Sequence, residues 1–292
     1  MLSASLDLLA GEPTILYPAA FGIGAILGSF LTVVVARLPV MMANQAEAEA
    51  RAVLEDQDCG PEPAERFDLA WPASHCPSCR HKLRWYENLP ILSFLIQRGR
   101  CRACKTSVPW RYPLLELASG ALVVLAVGVF GPTLQGAAAA VLLLALLAIT
   151  GIDLEHQLVP DAIVLPMLWV GLGLNAFGVF VSAESAILGA VAGFGSLWAI
   201  YAFYRLLTGQ EAIGRGDLKL AAMIGAWLGV GAMPGILFIA FASGALIGLG
   251  LMIGRRAGFG TAVPFGPFLA LGAACGVLAP GFFAVLNGLF LP

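Results

Sequence analysis

The sequence predicts an all-α polytopic integral membrane protein of about eight transmembrane helices, with a small cytoplasmic tetracysteine domain between the first and second. Three observations lead there. The 292 residues are 59% hydrophobic and only 12% charged, with a mean hydropathy of +0.88, whereas a soluble domain carries about 25% charge. Uncharged runs near the roughly 20 residues needed to cross a bilayer recur along the chain. The cations also fall on alternate connections between those runs.

In order, the runs lie near 15–36, 114–130, 134–152, 162–181, 186–204, 218–233, 235–254 and 266–290. Nothing before Leu16 is basic, so the first run lacks the cationic lead of a cleavable signal and is expected to stay in the membrane. Pro18, Pro166 and several glycine-rich patches fall inside spans, where neighbouring helices satisfy the backbone groups they free. Gly28 and Ser29 suit close helix contact in the first span. The sixth run is the shortest. Only Met233-Pro234-Gly235 separates it from the seventh within an uncharged stretch from Leu220 to Gly254.

Of the 16 Lys and Arg, 11 lie from Arg37 through Arg111; the others are Arg205, Arg215, Lys219, Arg255 and Arg256. The positive-inside rule makes that side cytoplasmic, with both termini outside. Merging the sixth and seventh runs would strand Arg255 and Arg256 on the wrong side, so they stay separate.

These spans divide the chain into a tail with first helix (1–37), a cytoplasmic domain (38–111) and a membrane bundle (112–292). The cytoplasmic domain has two halves. Residues 41–70 carry eight acids and two arginines, suggesting a short amphipathic helix followed by a proline-containing loop, in which Asp56, Asp58 and Glu62 could attract a basic peptide. Residues 71–111 carry eight cations against Glu87 alone, a face suited to anionic lipid. The cations form no extended stripe, which excludes nucleic acid as a partner.

Within the basic half, Cys76-Pro77-Ser78-Cys79 and Cys101-Arg102-Ala103-Cys104 are separated by 21 residues. Paired CxxC knuckles at this spacing point to a tetrahedral Zn²⁺ site of four soft thiolates, structural because no coordination position stays open. A reducing compartment disfavours disulfides. His75 and His81 flank the first knuckle but are not needed as ligands; Cys59 and Cys275 stand apart, Cys275 as a small core residue. Trp85 and Tyr86, between the knuckles, cap the metal site, sit at the headgroup level or contact a substrate.

Two acids mark the membrane edge. Asp153 ends the third run, followed by Glu155, His156 and Asp161, and Asp217 opens the sixth within Gly214-Arg215-Gly216-Asp217. Ionisable residues at such places point to function, and the topology puts both on the cytoplasmic edge. Two carboxyl groups brought within a few ångströms share a proton, so that one activates water while the other donates to a scissile carbonyl and leaving amine. Gly214 and Gly216, without Cβ atoms, would allow positive φ and the close approach of an extended peptide.

The residues carry a specific resemblance. Gly28-Ser29-Phe30-Leu31 through Arg37-Leu38-Pro39, the CxxC pairs around Trp85-Tyr86-Glu87-Asn88-Leu89-Pro90, Arg111-Tyr112-Pro113-Leu114-Leu115-Glu116, Ile152-Asp153 with Leu158-Val159-Pro160-Asp161, Gly214-Arg215-Gly216-Asp217-Leu218-Lys219, Gly225-Ala226-Trp227 and Pro264-Phe265-Gly266-Pro267-Phe268-Leu269-Ala270 follow one another along nearly the whole chain. In these the chain resembles the bacterial type IV prepilin peptidases, bifunctional leader peptidases and N-methyltransferases among the GxGD aspartic proteases.

The resemblance implies cleavage of a basic leader after Gly from type IV prepilins or type II secretion pseudopilins, at the cytoplasmic face of the inner membrane. Methylation of the new N-terminus with S-adenosylmethionine would follow. It assigns Asp153 and Asp217 as catalytic and Cys76, Cys79, Cys101 and Cys104 as the family tetracysteine motif. Thr32 and Ala36 stand where the family often has Asn and Tyr, and Val159 where Leu is usual. The residues show no glycine-rich cofactor loop, so the S-adenosylmethionine site is not read from the chain, nor is the oligomeric state. Two other readings of the acid pair are an ion or proton transporter with a regulatory zinc domain and a presenilin-like general intramembrane protease. The first would favour internal repeats and a midplane site, and the second leaves the zinc domain unexplained.

Overall fold

A computed structural model describes residues 12–54, 67–210, 213–254, 263–281 and 283. Cys59, Asp56, Asp58, Glu62, Arg255 and Arg256 lie outside them. The chain forms two compact units, Met1–Val124 and Leu125–Pro292. Among the described residues the regular elements are helices, joined by turns and two isolated bridges.

The first unit holds α1 (Pro13–Leu54), a 3₁₀ turn (Trp85–Asn88), α2 (Leu92–Ile96) and most of α3 (Arg111–Phe130). The glycines of α1 bring it onto α3. A Cβ at Gly28 would stand 2.7 Å from the Ser119 side chain, and one at Gly24 would stand 2.7 Å from the Ser119 carbonyl. Phe21 fills the notch left by Gly120 in return. The first span does not stop near residue 36. Helix α1 has 42 residues, about 63 Å at 1.5 Å per residue, so its last part extends beyond a bilayer core of about 30 Å. The Ala- and Glu-rich segment expected to form a separate helix continues α1 instead, because strong helix formers on both sides of Pro39 carry the backbone through it.

The second unit contains α4 (Leu134–His156), α5 (Asp161–Ala176), α6 (Ala183–Thr208), α7 (Arg215–Leu228), α8 (Met233–Ile253) and α9 (Gly266–Leu278). Its centre is α7, packed against α5, α6 and α9. Ten of its 14 residues are buried, so it meets protein rather than lipid. Glycines make that possible. Gly189 of α6 and Gly225 of α7 bring their backbones into contact, and Gly193 lies against the Ala221 carbonyl. Trp227 covers Gly171 and donates its indole N–H to the Met167 carbonyl at 2.7 Å.

The membrane runs are therefore unequal. Five helices among the described residues have the length and composition to cross a membrane, while α5 and α9 are shorter apolar helices. The sixth run, expected near 218–233, is not a span-length helix: α7 is about 21 Å long and ends at Leu228, where Gly229 turns the chain with φ +78°. Protein burial replaces bilayer length there.

Buried Asn175 closes the far end of α7. Its Nδ2 donates to the carbonyls of Ala226 (2.8 Å) and Trp227 (2.9 Å), and its Oδ1 accepts from the amides of Phe180 (3.0 Å) and Val181 (3.2 Å). Terminal helix carbonyls need such partners. Asn175→Ala is expected to cost about 2 kcal/mol by leaving these groups unpaired, read as a lower unfolding midpoint in detergent with the helical content retained.

Candidate active site and tetracysteine centre

Asp153 lies in the last turn of α4 and is buried. The helix ends at Gln157, which adopts left-handed φ 53° and returns its N–H to the Asp153 carbonyl at 2.9 Å. The Asp153 carboxylate is held from another part of the chain: Oδ2 accepts the N–H of Gly266, the first residue of α9, at 3.0 Å. A Cβ on Gly266 would sit 2.6 Å from that oxygen, so only glycine lets the helix start approach so closely.

Asp217 occupies the first turn of α7, also buried, its amide donating to the Gly214 carbonyl at 3.1 Å. Two contacts clamp this helix start to the segment that leaves Asp153. A Cβ at Gly216 would stand 2.7 Å from the Val159 Cβ, and Lys219 Nζ lies 2.9 and 2.6 Å from the two carboxylate oxygens of Asp161. The two acids thus share one end of the unit, and each lies within the other's electrostatic reach. Asp217 Oδ1 is buried without a hydrogen-bond partner in the protein.

The glycines act through space rather than backbone freedom. Gly214 has φ −65° and Gly216 lies within α7, so positive φ is not their purpose. What they provide is clearance: a Cβ on Gly214 would come 3.1 Å from Asp217 Oδ2, and one on Gly216 would meet Val159. Gly266 and Asn175 carry no signal in composition or periodicity, since each acts through a partner more than 50 residues away in the chain.

In the first unit the four knuckle cysteines converge, with all four Sγ atoms within 4.8 Å of one another. Cys76 to Cys104 is 3.8 Å and Cys79 to Cys101 is 3.9 Å, near the ~3.8 Å edge of a tetrahedron with Zn–S bonds of about 2.3 Å. The donor set and its geometry therefore fit Zn²⁺. Both knuckles fold alike: Arg80 N donates to Cys76 O (2.9 Å) with φ 55° at Arg80, and Lys105 N donates to Cys101 O (3.0 Å) with φ 61° at Lys105. Within the cluster the thiols shift in opposite directions: hydrogen bonds shared with the Thr106 side chain and backbone pull Cys104 down to about 6, while Cys79, against a hydrogen bond from the His81 backbone, is pushed up to about 11 by burial and the neighbouring thiols.

The loop between the knuckles is tied back onto them. Glu87 Oε2 accepts from Arg84 N at 2.9 Å and lies 3.3 Å from His81 Nε2, and the Tyr86 hydroxyl accepts from Arg84 and Arg102. Hydrogen bonding by the Arg84 amide holds the Glu87 carboxyl below its ordinary range against the opposing effect of burial. His81 is thus a partner of Glu87, His75 lies beside the Ala73 carbonyl, and both are outside the sulfur cluster. Trp85 remains exposed, and Cys275 is half-buried.

A helical membrane protein with a buried acid pair in one unit and a tetracysteine knuckle in the other is the class these features define. Its comparisons agree with that class. Residues 23–130 match the bacterial peptidase A24 N-terminal domain, and residues 140–249 match the type IV leader peptidase family. Proteins called prepilin leader peptidase/N-methyltransferase are similar along most of their length. That of Stutzerimonas stutzeri is 44% identical over 91% of each chain, and that of Pseudomonas putida is 45% identical over 92% of this chain and 93% of its own. That of Burkholderia pseudomallei strain 1026b is 46% identical over 92% of this chain and 87% of its own. No solved structure matches. The chain belongs to the type IV leader peptidase family.

The Gly216–Val159 contact yields a direct check. Gly216→Ala, although favourable by helix propensity, is expected to lower the unfolding midpoint, and Val159→Gly in the same chain, which removes the Cβ it would strike, to recover part of it. A coupling of about 1 kcal/mol between the two changes is the signature of the clash.

Proposed function

We propose that this protein cleaves the basic leader of type IV prepilins or type II secretion pseudopilins after Gly, using Asp153 and Asp217, and then methylates the new N-terminal amine with S-adenosylmethionine. The observation that carries the proteolytic half is the unpartnered, buried Oδ1 of Asp217 beside an Asp153 held by the Gly266 amide. Leaving such an oxygen without a partner is costly, so it is the natural point of contact for a water or a substrate carbonyl.

The chemistry follows from two carboxyl groups sharing a proton. The ionised member takes a proton from water as its oxygen attacks the peptide carbon. The protonated member hydrogen-bonds the carbonyl oxygen as it becomes an oxyanion, and collapse of the tetrahedral species breaks the C–N bond while the leaving nitrogen takes up a proton. Neither aspartate is permanently the base, since the proton passes between them over the cycle. Gly214 and Gly216 keep the acid-bearing turn free of side-chain bulk, and the Lys219–Asp161 pair holds it against the segment after Asp153.

The distribution of cations supports an inner-membrane protein whose acid pair faces the cytoplasm. A prepilin whose apolar segment lies in the bilayer, with its basic leader in the cytoplasm, would present its scissile bond at the depth of these helix ends. The proposed division into 1–37, 38–111 and 112–292 assigns an anchoring helix, a metal-stabilised domain and the peptidase bundle, with α1 running across the first boundary to Leu54 and most of α3 lying in the first compact unit. Cys76, Cys79, Cys101 and Cys104 would hold Zn²⁺, which supplies a structural cross-link between the two knuckles.

Asp153→Asn and Asp217→Asn are each expected to lower prepilin cleavage by at least about 10³-fold, with unfolding midpoints near wild type and methylation of pre-cut substrate retained. Wild-type cleavage by either variant would refute the acid pair. Elemental analysis should find one zinc per chain, and chelation should lower the unfolding midpoint of the tetracysteine region; mass spectrometry showing the four thiols disulfide-bonded in cells would overturn the metal assignment.

A further inference from the structure

The first unit contains a cavity of about 490 Å³ that the acid-pair chemistry does not use. It opens between the middle of α1, the knuckle loop and the start of α3, and it is lined by Thr32, Glu87, Phe94, Arg100, Tyr112 and Glu116 among others. Its size is that of a small-molecule site, about 300–1,000 Å³. Most of its wall is apolar, and its polar groups are unusual for the depth at which they lie.

Two acids face this space. Glu87 is 5% exposed, and its Oε1 has no hydrogen-bond partner, with the nearest cation, Arg102 Nη1, 4.0 Å away. Its other oxygen is engaged by Arg84 N and His81, so the side chain cannot swing to solvent without breaking that turn. Glu116, in the second turn of α3, accepts the Ile91 amide at 2.7 Å and also hydrogen-bonds Ser29. That ties the carboxylate to both α1 and the knuckle loop. Glu87, buried with one oxygen unpartnered, calls for a cationic ligand, and half-buried Glu116 sets a second carboxylate on the same wall.

We infer that this cavity is the S-adenosylmethionine site, with Glu116 and Glu87 receiving the cationic parts of the cofactor. The inference rests on the methyltransferase half of the proposed function and locates it. S-adenosylmethionine carries a sulfonium, an ammonium, a carboxylate and an adenine ring. The cavity offers two acids for the cations, Arg100 for the carboxylate, and Phe94 and Tyr112 for the ring. Thr32, buried at the cavity wall, donates its hydroxyl to the Ser29 carbonyl at 2.7 Å, so its polar group is already satisfied. Cys76 and Cys101 also line the cavity, so a metal held by the knuckles would fix part of its wall.

Calorimetry of zinc-loaded full-length protein in detergent, titrated with S-adenosylmethionine, tests this. The wild type is expected to bind, and Glu116→Gln to raise Kd by about 10- to 100-fold, the loss of one charge-assisted contact, with zinc content and unfolding midpoint preserved. Photolabelling of the wild type with tritiated S-adenosylmethionine gives a reading independent of any variant, and the label is expected on peptides from 29–37, 85–100 or 106–116. Wild-type binding with unchanged affinity in Glu116→Gln, or label confined to 125–283, overturns the location and leaves the methyltransferase reading intact. No binding by the wild type overturns both.

Discussion

Burial of α7 is the constraint on which the peptidase unit depends. A 14-residue helix that opens with Arg215, Asp217 and Lys219 is too short and too charged at its start to cross a bilayer alone. It is accommodated because α6 meets it across the Gly189–Gly225 contact, α5 receives Trp227 over Gly171, and α9 closes the remaining side. Small residues allow backbones to approach where lipid offers no hydrophobic drive for association. Once α7 is enclosed, Asp217 is carried into a dry setting, and its charge can be balanced only by local chemistry.

The same enclosure sets the acid pair. Asp153 receives the Gly266 amide at the start of α9, while Asp217 keeps one oxygen without a protein partner. One acid is therefore held by a backbone amide, while the other keeps an oxygen that nothing in the protein engages. The Lys219–Asp161 ion pair and the Gly216–Val159 contact hold α7 to the segment that begins only a few residues after Asp153. In the proposed reaction such support would keep the two carboxyl groups in register, since a small displacement of reacting groups costs a large part of the rate.

In the other unit the knuckle shows one turn used twice. Arg80 and Lys105 both adopt left-handed backbone four residues after the first cysteine of their pair, and each knuckle places its thiols toward the other. Such conformations cost a non-glycine residue about 1–2 kcal/mol, an expense that metal coordination can offset. Glu87 and Tyr86 then tie the intervening loop to both knuckles, so the loop is bound to the cysteine cluster's surroundings while part of its surface lines a cavity.

Much of this was legible in the chain because the signals are local. Apolar run length, cation placement and CxxC spacing each arise from chemistry acting over one helix or one turn, and they marked most of the apolar helices, the cysteines that cluster, and two acids that the fold buries at one end of a unit. What they could not mark was dimension and partnership. The 14-residue length of α7 reflects burial by three other helices, the continuation of α1 through Pro39 reflects helix formers on both sides, and the role of Gly214 and Gly216 reflects clearance rather than φ. Gly266 and Asn175 acquire their roles only when residues 113 and 51 positions away are folded against them. Sequence alone determined which residues carry charge, sulfur and apolar surface. Tertiary structure decided which of them meet, because burial and hydrogen bonding between distant segments exist only after the chain has packed.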